Sequence, residues 1–174
     1  EFTGVNNNDA QYTDLAANEA LVIQKFNLGI SFFFWRGSWL GQMSNTLAGQ
    51  TNPGWKLPVV LTVTCGAGNF VGGRGTQESY LVAGSATTPR GGIAAIGSAT
   101  NDTHAPQNIT VTGGLIYYIA DAGVEHLGHA LNGAKLWLAR TWGSTDYSFT
   151  AFSRYNNLMG DPGLDMWTDV PKVL

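Results

Sequence analysis

The run Pro58-Val59-Val60-Leu61-Thr62-Val63-Thr64 is apolar or β-branched throughout and breaks directly into Cys65-Gly66-Ala67-Gly68-Asn69-Phe70. A strand with no polar face must be covered on both sides, which is the condition of a parallel sheet held between helices. Reactive groups of open α/β folds sit at the carboxyl ends of such strands, and glycines there let a substrate backbone come close. Cys65, the only cysteine of the chain, is therefore a candidate nucleophile. The competing reading is an inert buried thiol, because free cysteine packs as a small hydrophobe.

The same periodicity arguments organise the rest. Residues 13–26 place Leu15, Val22, Ile23 and Phe26 on one helical stripe, with Thr13 as N-cap and Asp14 in the first turn. The aromatic run Ile30-Ser31-Phe32-Phe33-Phe34-Trp35 follows as a second strand covered on both faces. Residues 39–47 read as a helix, and Asn52-Pro53-Gly54 as the turn before the Cys65 strand. After it come a flexible loop, Gly72-Gly73-Arg74-Gly75, a short helix over 76–82 and a third buried strand over 91–97. Strand, helix and strand at this spacing predict a right-handed parallel crossover. Residues 115–120 look helical, and Val124, Leu127, Leu131, Ala134 and Leu138 mark a longer helix. Residues 156–163 carry turn signals, with Asp161 as an Asx-turn former, and 164–167 read as a closing strand.

With 174 residues and 44% apolar content, one domain over 1–174 buries a sizeable core. Charged residues are only 12%, about half the usual globular share. A net charge of −3 without a basic run leaves no surface suited to nucleic acid or an anionic membrane. The longest apolar run is strand-sized, too short for a membrane span. The low-charge, polar surface suits a secreted protein, and the abrupt ends read as those of a piece of a longer chain. One cysteine excludes an internal disulfide. Two sequons, Asn101-Asp102-Thr103 and Asn108-Ile109-Thr110, permit glycosylation.

The segment Leu57-Pro58-Val59-Val60-Leu61-Thr62-Val63-Thr64-Cys65-Gly66-Ala67-Gly68-Asn69-Phe70 resembles the nucleophile segment of the gingipain family of cysteine peptidases. Glu78, the run Pro89-Arg90-Gly91-Gly92-Ile93-Ala94-Ala95-Ile96-Gly97 and the closing Asn157-Leu158-Met159-Gly160-Asp161-Pro162 follow in that family's order. The resemblance covers about residues 29–168. It implies an α/β caspase-like three-layer sandwich, a mostly parallel sheet with helices on both faces. It also implies an extracellular or cell-surface endopeptidase acting through the Cys65 thiolate on a polypeptide substrate or on other parts of its parent chain. Self-assembly is a further partner expectation. No cofactor is required; calcium enters by resemblance only, since the few carboxylates form no recognisable ligand loop.

Gingipain-like enzymes carry a histidine in a Gly-His-Gly-type turn after the preceding strand. This chain has Trp35-Arg36-Gly37-Ser38, which puts Arg36 at the histidine position. A guanidinium lowers a nearby thiol pKa, but with its own pKa above about 12 it cannot shuttle a proton. Two readings follow. In one, His104, in the loop after the third strand, is the base of an active peptidase. In the other, the chain is a catalytically inactive module with a structural, binding or assembly role, and His104 is an ordinary surface histidine. In the active reading the backbone N–H groups of Cys65 and Gly37 form the oxyanion hole, and Gly66 permits close approach. Arg36, Trp35, Glu78 and Thr103 line the site; the alternatives are an Arg36–Glu78 ion pair and core aromatics. His126 and His129, three apart, have no nearby carboxylate or third ligand in this reading and are helix residues rather than a metal site.

Overall fold

The computed structural model describes residues 15–36 and 48–166. Within them the chain runs α1 (Leu15–Leu28), β1 (Phe32–Arg36), β2 (Val59–Val63), α2 (Thr76–Leu81), β3 (Ala94–Ser98), α3 (Ala105–Ala120), α4 (Leu127–Trp142), α5 (Tyr147–Tyr155) and β4 (Asn156–Met159). The sheet order is β1-β2-β3-β4; β1, β2 and β3 are parallel, and β4 runs antiparallel to β3.

Because successive side chains of a strand point to opposite faces, each apolar strand feeds two cores. Val59 and Leu61 of β2 lie beside Ala94 and Ile96 of β3 and pack with Val111, Leu115, Leu131, Leu138 and Phe152 of α3, α4 and α5. Val60 and Ala95, one residue out of phase, pack with Val22 and Phe26 of α1 and Tyr80 of α2. The sheet is thus held between two helical layers, the sandwich that the two-sided apolar strands predict.

Three local readings are corrected. Helix α3 begins at Ala105, ten residues before the expected start at Leu115. Its first half looks like a loop in sequence because it holds Pro106, two threonines and Gly113-Gly114. The proline sits in the first turn, where its missing N–H costs nothing. The Thr110 and Thr112 hydroxyls donate to Pro106 O and Asn108 O inside the helix, at 2.9 and 2.8 Å. Gly114 lets α3 press on α4: a Cβ there would stand 2.9 Å from Ala134 Cα. Second, residues 156–159 form β4 rather than a turn, and 164–166 form no strand, only a bridge between Asp165 and His126. Asn156 is a poor strand former, but it pairs with Ser98 of the fully buried β3, and its side chain donates to Phe152 O at 3.0 Å at the end of α5. Third, β3 starts at Ala94; Gly91, Gly92 and the largely exposed Ile93 precede it. The helix expected over 39–47 lies outside the described residues.

The core on the α1 and α2 side holds one anomaly. Tyr80 is fully buried, its ring 6.0 Å from that of Phe26, and its hydroxyl has no hydrogen-bond partner among the described residues. Burial pushes its phenol well above the ordinary tyrosine range. A buried donor without a partner costs about 1–3 kcal/mol of desolvation. Tyr80→Phe is therefore expected to raise stability by about 1 kcal/mol, read as a higher urea midpoint at unchanged m-value.

Candidate active site

The three parallel strands deliver their carboxyl ends to one edge of the sheet. Arg36 closes β1 in register with Val63 of β2, and Trp35 pairs with Thr62. Cys65 follows Val63 by two residues, and the connection from β3 to α3 crosses the same edge. For Trp35 and Arg36 the backbone alone is described, and Gly37 lies outside the described residues.

Glycine is needed in the loop after Cys65 for two separate reasons. Gly66 takes φ +68°, the left-handed region, and a Cβ on it would meet Asn101 Oδ1 at 2.5 Å. Gly68 lies flat on β3, where a Cβ would stand 2.3 Å from Gly97 O. Backbone bonds then fasten the loop to the neighbouring strand and its connection: Gly66 N donates to Thr100 O at 2.9 Å, and Gly68 N to Ser98 O at 2.7 Å. Gln77, the first-turn residue of α2, is fully buried; its N donates to Ala67 O at 3.1 Å and its Nε2 to Ile96 O at 2.8 Å. The sequence reading missed Gln77. The one signal was a long polar residue in the first turn after a glycine-rich loop.

Cys65 is free and exposed, which overturns the inert buried thiol. Its Sγ lies 2.9 Å from Thr103 Oγ1, a hydrogen bond in which either atom can donate. His104, the next residue, is extended (φ −119°, ψ 136°) and is the backbone N-cap of α3. Consecutive side chains of an extended segment diverge. Thr103 turns to the sulfur, while the His104 ring lies 6.1 Å from the ring of Phe152. Among the described residues no hydrogen bond joins His104 to Cys65. Structure therefore brings Cys65, Gly66 and Thr103 together, with His104 adjacent in the chain.

Glu78 is occupied elsewhere: its Oε2 accepts from Gly75 N at 3.1 Å, tying the first turn of α2 back to its N-cap residue at the far end of the loop. The described contact gives it a structural task. Asp161 accepts from Gly163 N at 2.8 Å, the Asx turn expected of it. The expectation that His126 and His129 lack a carboxylate is corrected. Their rings are 5.3 Å apart, and His126 Nδ1 is 2.5 Å from Asp165 Oδ1 across the bridge that pins the last described residues to α4. Among the described residues no three His, Cys, Asp or Glu side chains group as a metal site. Of the two sequons, Asn101 is exposed, whereas Asn108 is buried inside α3 and closed to modification in the folded chain. No described helix is long and apolar enough to cross a membrane.

Comparison with known proteins agrees with this architecture. The family model for peptidase family C25 matches residues 3–167. The crystal structure of the Arg-specific cysteine proteinase gingipain R superposes with a TM-score of 0.74 at 19% identity, over 88% of this chain and 37% of that one. The complex of Porphyromonas gingivalis RgpB pro- and mature domains gives a TM-score of 0.74 at 20% identity, over 88% of this chain and 38% of that one. This chain thus spans less than two fifths of either structure, and at that identity the likeness is one of fold. No curated protein matches it. Family match and shared α/β caspase-like fold both span nearly the whole sequence, and the chain belongs to peptidase family C25, the gingipain-like cysteine peptidase family.

Proposed function

We propose that this domain is a secreted cysteine endopeptidase in which Cys65 attacks the scissile carbonyl of a polypeptide. The observation that carries the reading is the exposed Cys65 sulfur at the open sheet edge, on a loop whose glycines and backbone bonds hold it in one position. Sulfur of the thiolate bonds to the carbonyl carbon, and the displaced electron pair moves onto oxygen. The backbone N–H of Cys65, with that of Gly37 by resemblance, meets the resulting oxyanion. Collapse of the intermediate breaks the C–N bond, the leaving amine takes a proton, and water hydrolyses the thioester.

His104 is assigned as the group that moves those protons. It is exposed and one residue from the thiol's hydrogen-bond partner, and catalytic hydrogen bonds of unliganded sites commonly form only when substrate binds. Arg36 ends β1 in register with Val63 of β2, on the strand next to the one that leads into Cys65. Polypeptides, including other parts of a parent chain, are the partners this chemistry takes. An extracellular or cell-surface location goes with the low charge of the chain and the family resemblance. The reaction as drawn uses no cofactor, and calcium has no assigned ligands among the described residues.

A second reading is favoured by one observation: β1 ends in Arg36 where the family resemblance calls for histidine. In that reading the same cleft binds or assembles without cleaving. A peptidyl acyloxymethyl ketone separates the two, because it alkylates a catalytic cysteine far faster than a free thiol. The expected result is stoichiometric labelling of Cys65, located by peptide mass spectrometry, together with hydrolysis of fluorogenic casein. A thiol that reacts with iodoacetamide but not with the peptidyl reagent, in a protein that leaves casein intact, would establish the inactive module.

A further inference from the structure

Among the described residues, the side chain that hydrogen-bonds the Cys65 sulfur is the hydroxyl of Thr103, 38 residues later and 2.9 Å away, and both partners are held by backbone. Gly66 N on the cysteine side donates to Thr100 O at 2.9 Å. On the threonine side, Asp102 N donates to Thr100 Oγ1 at 3.1 Å and Thr103 N to Asn101 O at 2.9 Å. One short unit, anchored at Thr100, therefore carries the sulfur and the hydroxyl together.

We infer that Thr103 is a catalytic residue that sets the reactivity of Cys65 by donating its hydroxyl proton to the thiolate. A threonine hydroxyl has one proton and two lone pairs. It accepts from S–H while the thiol is protonated. On ionisation it rotates and donates to the sulfur, so the bond persists and becomes charge-assisted. A donor to the charged form stabilises that form. The inference rests on the reading of Cys65 as the nucleophile. It adds a group that remains beside the sulfur although the His104 ring lies against Phe152.

Alkylation by iodoacetamide across pH tests this without turnover, on the whole chain, for wild type, Thr103→Val, Thr103→Ala and Thr103→Ser. Losing a hydrogen bond to a charged group is expected to raise the apparent thiol pKa by about one unit in both Thr103→Val and Thr103→Ala. Tenfold less thiolate is then present at neutral pH, but each thiolate is about threefold more nucleophilic, because nucleophilicity rises with pKa at a Brønsted slope near ~0.45. Two limbs of opposite sign follow: about threefold slower alkylation at pH 7 and an alkaline plateau about threefold faster. Thr103→Ser restores the wild-type profile. A mere change in access to the sulfur moves both limbs the same way and would overturn the inference, as would an unchanged pKa or a failure of serine to restore it. Should Thr103→Val fail to fold, Thr103→Ala carries the same test. Casein hydrolysis by wild type is measured alongside: its absence counts against the peptidase reading, whereas the crossing profiles test Thr103 alone.

Discussion

Cys65→Ser is expected to reduce casein hydrolysis at least about 10³-fold while leaving the fold in place. Serine keeps the shape of the side chain but replaces a thiol by an alcohol that stays protonated at any working pH. An alcohol is a far weaker nucleophile than a thiolate even with His104 as base, and among the described residues the side chain hydrogen-bonded to Cys65, the Thr103 hydroxyl, cannot take up a proton near neutrality. Because Cys65 is exposed and its loop is held by backbone bonds, the melting temperature of Cys65→Ser is expected to stay within about 2 °C of wild type, well under the shift a core substitution would cause. The check is kcat/KM for a fluorogenic casein beside a thermal melt of the same preparation. Equal activity in the variant would mean that Cys65 is not the nucleophile and that any cleavage arises elsewhere.

Gly68→Ala is expected to be strongly destabilising. Its Cβ would stand 2.3 Å from Gly97 O and 2.6 Å from Gly97 C, both backbone atoms of the buried β3. No rotamer relieves such a contact. Retreat of the loop is opposed by the 2.7 Å bond from Gly68 N to Ser98 O and by the Gln77 N to Ala67 O bond on the preceding residue. Either those bonds break or β3 shifts against both cores. Overpacking of this kind costs about 3 kcal/mol, a large part of the stability of a domain this size. Urea denaturation followed by tryptophan fluorescence reads that loss as a lower midpoint. Alkylation of Cys65 in the folded fraction shows whether the sulfur has left its place beside Thr103. A midpoint within about 0.5 kcal/mol of wild type would mean that the loop does not lie flat on β3.

Local pattern carried much of this architecture. The apolar runs at 30–35 and 58–64 read as strands because their neighbours in sequence are apolar on both phases, and both form; but β1 lies at the edge of the sheet and leaves Phe34 exposed, so of the two only β2 is covered on both faces. The stripe through Leu127, Leu131, Ala134 and Leu138 reads as a helix face because its period is that of a helix, and all four residues are buried in the core. Cys65 stood out for a similar reason: a strand that ends in a glycine loop is visible without knowing what lies across from it. The family order of motifs pointed to the fold that the superposition bears out.

What escaped the sequence depends on residues distant along the chain. Pro106 and the glycines at 113 and 114 make residues 105–114 look like a loop, yet helix forms there because Gly114 packs on Ala134. Residues 156–159 look like a turn, but β3 offers them unpaired backbone groups, and satisfying those outweighs the weak propensity of asparagine. Glu78 is a site residue by resemblance and a helix cap by geometry. The sequence by itself determined a parallel sheet between helices and a thiol at its carboxyl edge, because burial on both faces and glycine's backbone freedom act over a few consecutive residues. Tertiary structure alone decided that Thr103 meets the sulfur and that the His104 ring turns to Phe152, because a hydrogen bond between residues 38 apart exists only once β2 and β3 are in register.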